Sequence, residues 1–251
     1  NTFTPPSHDI AARVTRRTKA IILTSPSNPN GSVWSREQLQ FVADLAVSHP
    51  FYVVSDEIYE KLIYDGQKHV SIAELGEAIK NQTFVVNGMS KAYAMTGWRI
   101  GFIAAPEWIV KGCNKLQGQY TSGPCSVSQK AAEAAYTTSQ ECVETMRKAF
   151  ERRRDLIVSL AKEIPGLEVN CPQGAFYLFP KCSGFYGKSY EGKTISNSTD
   201  LAMFLLEEGH VATVGGDAFG DPDCFRMSYA TSDDNIREAM RRIKETLAKL
   251  K

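Results

Sequence analysis

Thr83-Phe84-Val85-Val86-Asn87-Gly88-Met89-Ser90-Lys91 decides how this chain is read. Four residues of strand-forming character run without polar alternation, then stop in a small, polar turn. Such a run reads as a strand covered on both faces, the kind found in parallel sheets. Upstream the same grammar occurs twice. Ala20-Ile21-Ile22-Leu23 closes in Ser25-Pro26-Ser27-Asn28-Pro29-Asn30-Gly31, and Phe51-Tyr52-Val53-Val54 closes in Ser55-Asp56-Glu57. Downstream, Ile100-Gly101-Phe102-Ile103-Ala104 is a fourth run. Between the first two, Ser35 and Gln38 have capping-box spacing, and Leu39, Val42 and Ala46 recur at helical intervals. Strands alternating with helices predict an α/β protein with a mostly parallel sheet. In such sheets ligands gather at the loops leaving the carboxyl ends of the strands.

Beyond residue 105 the pattern changes. Helices are predicted at 106–117, 126–139 and 142–163, then a strand over Gly174–Pro180 and a helix over 200–208 with Gly209 as its C′ residue. Two short strands follow, Val211–Val214 and Cys224–Tyr229. A closing helix buries Ile236, Met240, Ile243, Leu247 and Leu250. This predicts a large domain over 1–150 and a smaller α+β C-terminal domain over 151–251, with Lys181–Ser198 as an exposed loop.

Composition narrows the classes. The chain has 251 residues, 43% hydrophobic and 23% charged, with a formal charge of +1, enough for one or two domains. Near-neutrality argues against a nucleic-acid partner, and the Arg152-Arg153-Arg154 run reads as a solvated helix face. No run of 18 apolar residues suits a membrane. The start, Asn1-Thr2-Phe3-Thr4-Pro5-Pro6, is not a signal peptide, and the missing Met suggests processing or a fragment. Six cysteines without a C-x-x-C pair read as reduced thiols in a cytoplasmic protein. The four scattered histidines suggest no metal site. No G-x-x-x-x-G-K-[ST] occurs, and Gly215–Gly220 is not G-x-G-x-x-G, which disfavours nucleotide binding.

Taken singly, the polar residues at the strand ends are weak signals. Lys91 reads as a solvated loop lysine, Asp56 as an acid at a helix N-terminus, Arg99 as a surface ion-pair partner and Arg226 as an edge-strand charge. Phe176, Tyr177 and Phe179 read as core. In order, however, Asn28-Pro29-x-Gly31, Asp56-x-x-Tyr59, Ser90-Lys91 and Gly97-Trp98-Arg99 fall at the ends of successive elements. With Val86–Gly101, Ser25–Pro29 and Phe225-Arg226-Met227-Ser228-Tyr229-Ala230, they resemble the class I aminotransferases, fold-type-I enzymes dependent on pyridoxal 5′-phosphate (PLP). The resemblance spans essentially the whole chain and is greatest to bacterial aspartate aminotransferases.

That resemblance implies roles. Lys91 would carry the cofactor as a Schiff base and shuttle a proton. Asp56 would keep the pyridine nitrogen protonated, so that the ring accepts electrons. Tyr59 and Asn28 would bond the phenolic oxygen, and Ser90 and Arg99 the phosphate. Arg226 would grip the substrate α-carboxylate bidentately, with Asn28 beside it. The implied reaction moves an amino group between an amino acid, aspartate above all, and a 2-oxo acid such as 2-oxoglutarate, in a homodimer. A PLP-dependent lyase of the same fold is an alternative. Family members are longer, and their N-terminal part is not matched here. A non-catalytic fragment with weak or no PLP binding is therefore a further alternative. Asn30 stands where Thr is usual and Gly215 where Pro is common. Tyr120–Cys125 holds no arginine for a side-chain carboxylate.

Overall fold

The computed structural model describes residues 3–251. They form two compact units. One is Ser32–Arg147 with the residues preceding Asn28; the other is Lys148–Lys251 with Asn28–Gly31.

The first unit opens with helix α1 (Ser7–Arg13) and strand β1 (Ala20–Thr24), then α2 (Arg36–Ser48) and β2 (Tyr52–Asp56). A short helix α3 (Glu77–Lys80), strands β3 (Thr83–Gly88) and β4 (Gly101–Ala104), and helices α4 (Glu107–Tyr120) and α5 (Ser126–Thr137) follow. The sheet order is β1-β2-β3-β4, with β1, β2 and β3 mutually parallel and β4 antiparallel to β3. Thr24 pairs with Asp56 and Asp56 with Val86, so the carboxyl ends of the three parallel strands are level.

Strands β2 and β3 extend two residues further than their apolar runs predict. The polar ends are held by neighbouring backbone: Glu57 N–H donates to Val86 O at 2.9 Å and Ser25 N–H to Asp56 O at 3.1 Å. The antiparallel setting of β4 follows from its connection. Residues 89–100 contain turns and a single 3₁₀ turn, whereas a parallel return needs a crossover element, usually a helix. Gly88 faces Gly101 across this pair, and a Cβ on Gly101 would lie 2.9 Å from Asn87 O, so the two strands approach where no side chain fits.

The expected capping box is present: Ser35 N–H donates to Gln38 Oε1 at 2.8 Å, and Gln38 N–H to Ser35 Oγ at 3.3 Å. The buried stripe Leu39, Val42, Ala43 and Ala46 of α2 packs with Leu23, Phe51, Val53, Ile72 and Ile79. Each large side chain so buried contributes about 1.5–3 kcal/mol. By contrast α4 buries only Ile109 and leaves Trp108, Leu116 and Tyr120 exposed.

Helix α6 (Glu141–Lys162) crosses the division between the units at Arg147 and Lys148. The second unit continues with β5 (Tyr177–Leu178), β6 (Ser189–Tyr190), β7 (Lys193–Thr194), α7 (Ser198–Gly209), β8 (Val214–Gly215), β9 (Phe225–Ser228) and α8 (Asp233–Leu247). Its three-stranded antiparallel sheet has the order β5-β9-β8, with β9 central. The apolar face of α8 is buried at every expected position, including Leu250 beyond the helix end.

Four expectations are corrected here. Gly209 is the last helical residue and His210 takes the left-handed cap (φ 54°); Gly209 is small because a Cβ there would lie 2.7 Å from Thr246 Oγ1 on α8. Residues 181–198 are no exposed loop. They carry the β6–β7 hairpin and bury Cys182, Phe185 and Ile195, and Tyr186 O–H fastens them to Pro222 O at 2.6 Å. The Gly174–Pro180 run forms regular strand only at Tyr177–Leu178. Nor is the arginine run solvated throughout: Arg154 is 3% exposed and donates to Pro172 O at 2.9 Å. Among the described residues no helix is long and apolar enough to cross a membrane.

Candidate functional site

In the first unit the candidate residues leave the sheet at its carboxyl edge. Asp56 ends β2, and its Oδ1 accepts from Ile58 N–H at 3.1 Å, which makes a turn rather than a helix start. This turn carries Tyr59, whose ring is 3% exposed. Across the β2–β3 pair, Ser90 and Lys91 follow the end of β3 between buried Met89 and Ala92. Lys91 Nζ lies 5.9 Å from the Tyr59 ring centroid, so the register of two strands brings an amine to a phenol from 32 residues away.

Behind Asp56 lies a polar network that sequence reasoning missed. The Glu57 side chain is 4% exposed and takes three partners: Oε1 accepts from Ser55 Oγ at 2.9 Å and Ser71 Oγ at 2.7 Å, and Oε2 meets His69 Nε2 at 2.8 Å. The ligand atoms of Glu57, Glu60 and His69 lie within 4.8 Å of one another, but the Glu57 oxygens are already engaged. The network ties the β2 exit to the 69–71 segment. Its signal in the sequence was only Ser55-Asp56-Glu57, with the partners a dozen residues on.

The segment after Lys91 is held in unusual backbone. Ala94 (φ 53°) and Arg99 (φ 51°, ψ 52°) are both left-handed, a region that costs a side-chain-bearing residue energy and that persists where the surroundings demand it. Tyr93 O–H donates to Gln140 Oε1 at 2.7 Å and its ring meets that of Tyr136 edge-on at 5.4 Å. Burial raises the Tyr93 phenol, and burial, with the nearby charge of Glu60, pushes Tyr136 up to about 12. The exposed Arg99 donates to Thr96 O at 2.9 Å, and no described carboxylate pairs with it.

Asn28 and Arg226 belong to the second unit. Arg226 stands on the central strand of its sheet, not on an edge, and its Nη1 donates to Asn28 Oδ1 at 2.8 Å. The guanidinium carbon lies 4.6 Å from the Tyr177 ring centroid and 4.7 Å from that of Phe219. No described carboxylate pairs with it. Tyr177, expected only as core, is buried and also faces this charge. The turn that presents Asn28 depends on Gly31: its φ is +69°, and a Cβ there would sit 2.5 Å from Pro172 Cβ. Gln173 and Gly174 both donate backbone N–H groups to Gly31 O.

In the first unit an acid (Asp56), a phenol (Tyr59), a hydroxyl (Ser90) and an amine (Lys91) thus gather at the carboxyl edge of one mostly parallel sheet, the arrangement of an α/β fold that binds a ligand at its strand exits. The family model "Aminotransferase class I and II" matches residues 1–243, and the chain belongs to that family. It is 46% identical over 247 residues to a bifunctional aspartate aminotransferase and glutamate/aspartate-prephenate aminotransferase of Petunia hybrida, covering 96% of this chain and 51% of that protein. It is 46% identical to the aspartate aminotransferase of Geobacillus stearothermophilus, covering 97% and 61% respectively. The aspartate aminotransferase structure from Rhizobium meliloti superimposes with a TM-score of 0.95 at 41% identity, over 99% of this chain and 63% of that one. The fold is therefore that of the PLP-dependent fold-type-I transferases. The chain spans between half and about three-fifths of the length of these curated relatives.

Proposed function

We propose that this chain carries the lysine-bearing part of a PLP-dependent aminotransferase that exchanges an amino group between an amino acid, aspartate foremost, and a 2-oxo acid such as 2-oxoglutarate. The observation that carries the reading is the approach of Lys91 to Tyr59 at the carboxyl edge of the sheet, beside Asp56. The donor set fits the cofactor. Asp56 would hold the pyridine nitrogen, Tyr59 and Asn28 the phenolic oxygen, and Ser90 and Arg99 the phosphate. Residues 1–150 would then be the remainder of the large cofactor domain and 151–251 the small domain.

When bound, PLP supplies an aldehyde that condenses with amines and a protonated ring that draws electrons from the adjacent carbon. The chain's own residues do the rest. Lys91 Nζ would take the proton from the substrate Cα and hold it for return, a positioned amine acting as both base and acid. Asp56, as an anion, keeps a proton on the ring nitrogen. The Tyr59 hydroxyl stabilises charge on the phenolic oxygen. Arg226 and Asn28 would orient the α-carboxylate.

Two copies would form the working enzyme, an assembly favoured by the apolar side chains Leu116, Tyr120 and Val127 left exposed on α4 and α5. Free cysteines and the absence of a membrane-length helix among the described residues suit the cytoplasm. The test is incubation with PLP, borohydride reduction and peptide mapping. Reduction should fix one equivalent on Lys91, and aspartate should be consumed only when 2-oxoglutarate is present. Labelling at another lysine, or none, overturns the reading.

A further inference from the structure

Resting on the assignment of Arg226 to the substrate carboxylate, we propose that Tyr177 and Phe219 are positioning residues: a two-ring clamp that holds the Arg226 guanidinium so that a carboxylate can meet only its edge.

The clamp is assembled from three places in one unit. Tyr177 lies on β5, Arg226 on the neighbouring strand β9, and Phe219 in the 3₁₀ turn (Gly216–Phe219) that follows β8. Ring centroids at 4.6 and 4.7 Å from the guanidinium carbon are within cation–π distance. Each ring is itself braced. Phe219 meets the buried Phe179 edge-on at 5.9 Å and 90°, and Tyr177 packs against Phe176 at 4.8 Å. Asn28 Oδ1 then accepts from Nη1 at 2.8 Å.

A guanidinium donates hydrogen bonds only in its plane, and its faces are weakly hydrated. Rings against the group therefore cost it no donor while removing side-chain freedom that a flexible arginine would otherwise lose on binding substrate. With one donor committed to Asn28, the remaining edge donors are offered to a planar anion in bidentate geometry. No described carboxylate competes for them. A lysine could not take this arrangement, since an ammonium has no plane to clamp.

The experiment compares Phe219→Leu, Phe219→Tyr and Arg226→Gln with the unaltered protein. Calorimetric titration with succinate, a carboxylate that cannot be transaminated, is measured beside KM, kcat and thermal unfolding. Phe219→Leu should weaken succinate about tenfold and raise KM for both amino and oxo acid to a similar degree, with kcat within about twofold. Phe219→Tyr should restore both values. Thermal unfolding should follow the variants without tracking the affinities. Succinate affinity and KM unchanged in Phe219→Leu, with Arg226→Gln losing carboxylate binding, would overturn the clamp alone. Carboxylate affinity unchanged in Arg226→Gln would overturn the assignment of Arg226 itself, and the clamp with it. Should Phe219→Leu fail to fold, Phe219→Met, which keeps an apolar side chain and removes the ring, should weaken succinate to a similar degree, and unchanged affinity there would overturn the clamp.

Discussion

The two units present charge in opposite ways. In the first, Asp56 ends one parallel strand and Lys91 stands just past the end of the next, and the scaffold that braces the β2 exit lies behind, in the buried Glu57–His69–Ser71 network. In the second, Arg226 stands within the central strand of an antiparallel sheet and is fixed by rings beside it. A group at a strand exit is free to react but must borrow its rigidity from the backbone. A group within a strand already has a rigid backbone and needs only its long side chain held. Proton transfer suits the first setting and recognition of a fixed carboxylate suits the second.

The largest effect separates reaction from scaffold in the first unit. Lys91→Ala should lower turnover by at least about 10⁴-fold, because base, acid and cofactor attachment are lost together. Since Lys91 stands on a turn and not in the core, the urea midpoint should hardly change. A variant retaining a tenth of the activity would break the contrast on the side of reaction.

Glu57 should behave in the reverse manner. Glu57→Leu leaves the Ser55 and Ser71 hydroxyls and His69 Nε2 without their acceptor in a site where the carboxylate is 4% exposed. Orphaning buried donors in this way costs about 3 kcal/mol, read as a shift in the urea midpoint. Glu57→Gln, which keeps an acceptor oxygen, should lose less. Equal stability of Glu57→Leu and the unaltered chain would show that the β2 exit needs no brace.

Gly31→Ala asks the same of the turn that carries Asn28. A methyl group there meets both a left-handed backbone (φ +69°) and Gly174 O at 2.7 Å, so destabilisation of about 2 kcal/mol is expected by urea unfolding. Arg226 should lose its Asn28 partner as the turn shifts, raising KM more than it lowers kcat.

What could be read beforehand follows the same division. The β1, β2 and β3 runs, the α2 capping box and the polar strand exits are contiguous signals, and each appears where its residues predict. The Asn28/Asp56/Lys91/Arg99/Arg226 order was visible because each residue sits in a short local motif. The support for these residues was not visible. Ser71 and His69 reach Glu57 from a later segment, and Tyr177 and Phe219 come from different elements than Arg226. An aromatic on a strand has the same pattern whether it packs on a leucine or on a guanidinium. The antiparallel β4 was likewise hidden, since a short apolar run carries no direction; its connection through turns does.

The smallest expected effect lies at the fastening of α8 to α6 in the second unit. Asp233, in the first turn of α8, receives Arg152 at 3.1 Å and Arg153 at 3.2 Å from α6. Hydrogen bonds from Arg152 first, and then Arg153, hold its carboxyl at about 2, below the ordinary 3.8. The folded state therefore binds protons less readily than the unfolded chain. Its contribution is fully present above about pH 4 and is lost as pH falls through 2. Asp233→Asn should lower the urea midpoint slightly at pH 6, with the difference narrowing at pH 3 and shrinking in high salt, as an exposed pair is screened. A difference that persists unchanged at pH 3 would assign the loss to the capped helix start instead, where Ser232 Oγ accepts from Asn235 N–H at 3.2 Å whatever the charge on Asp233.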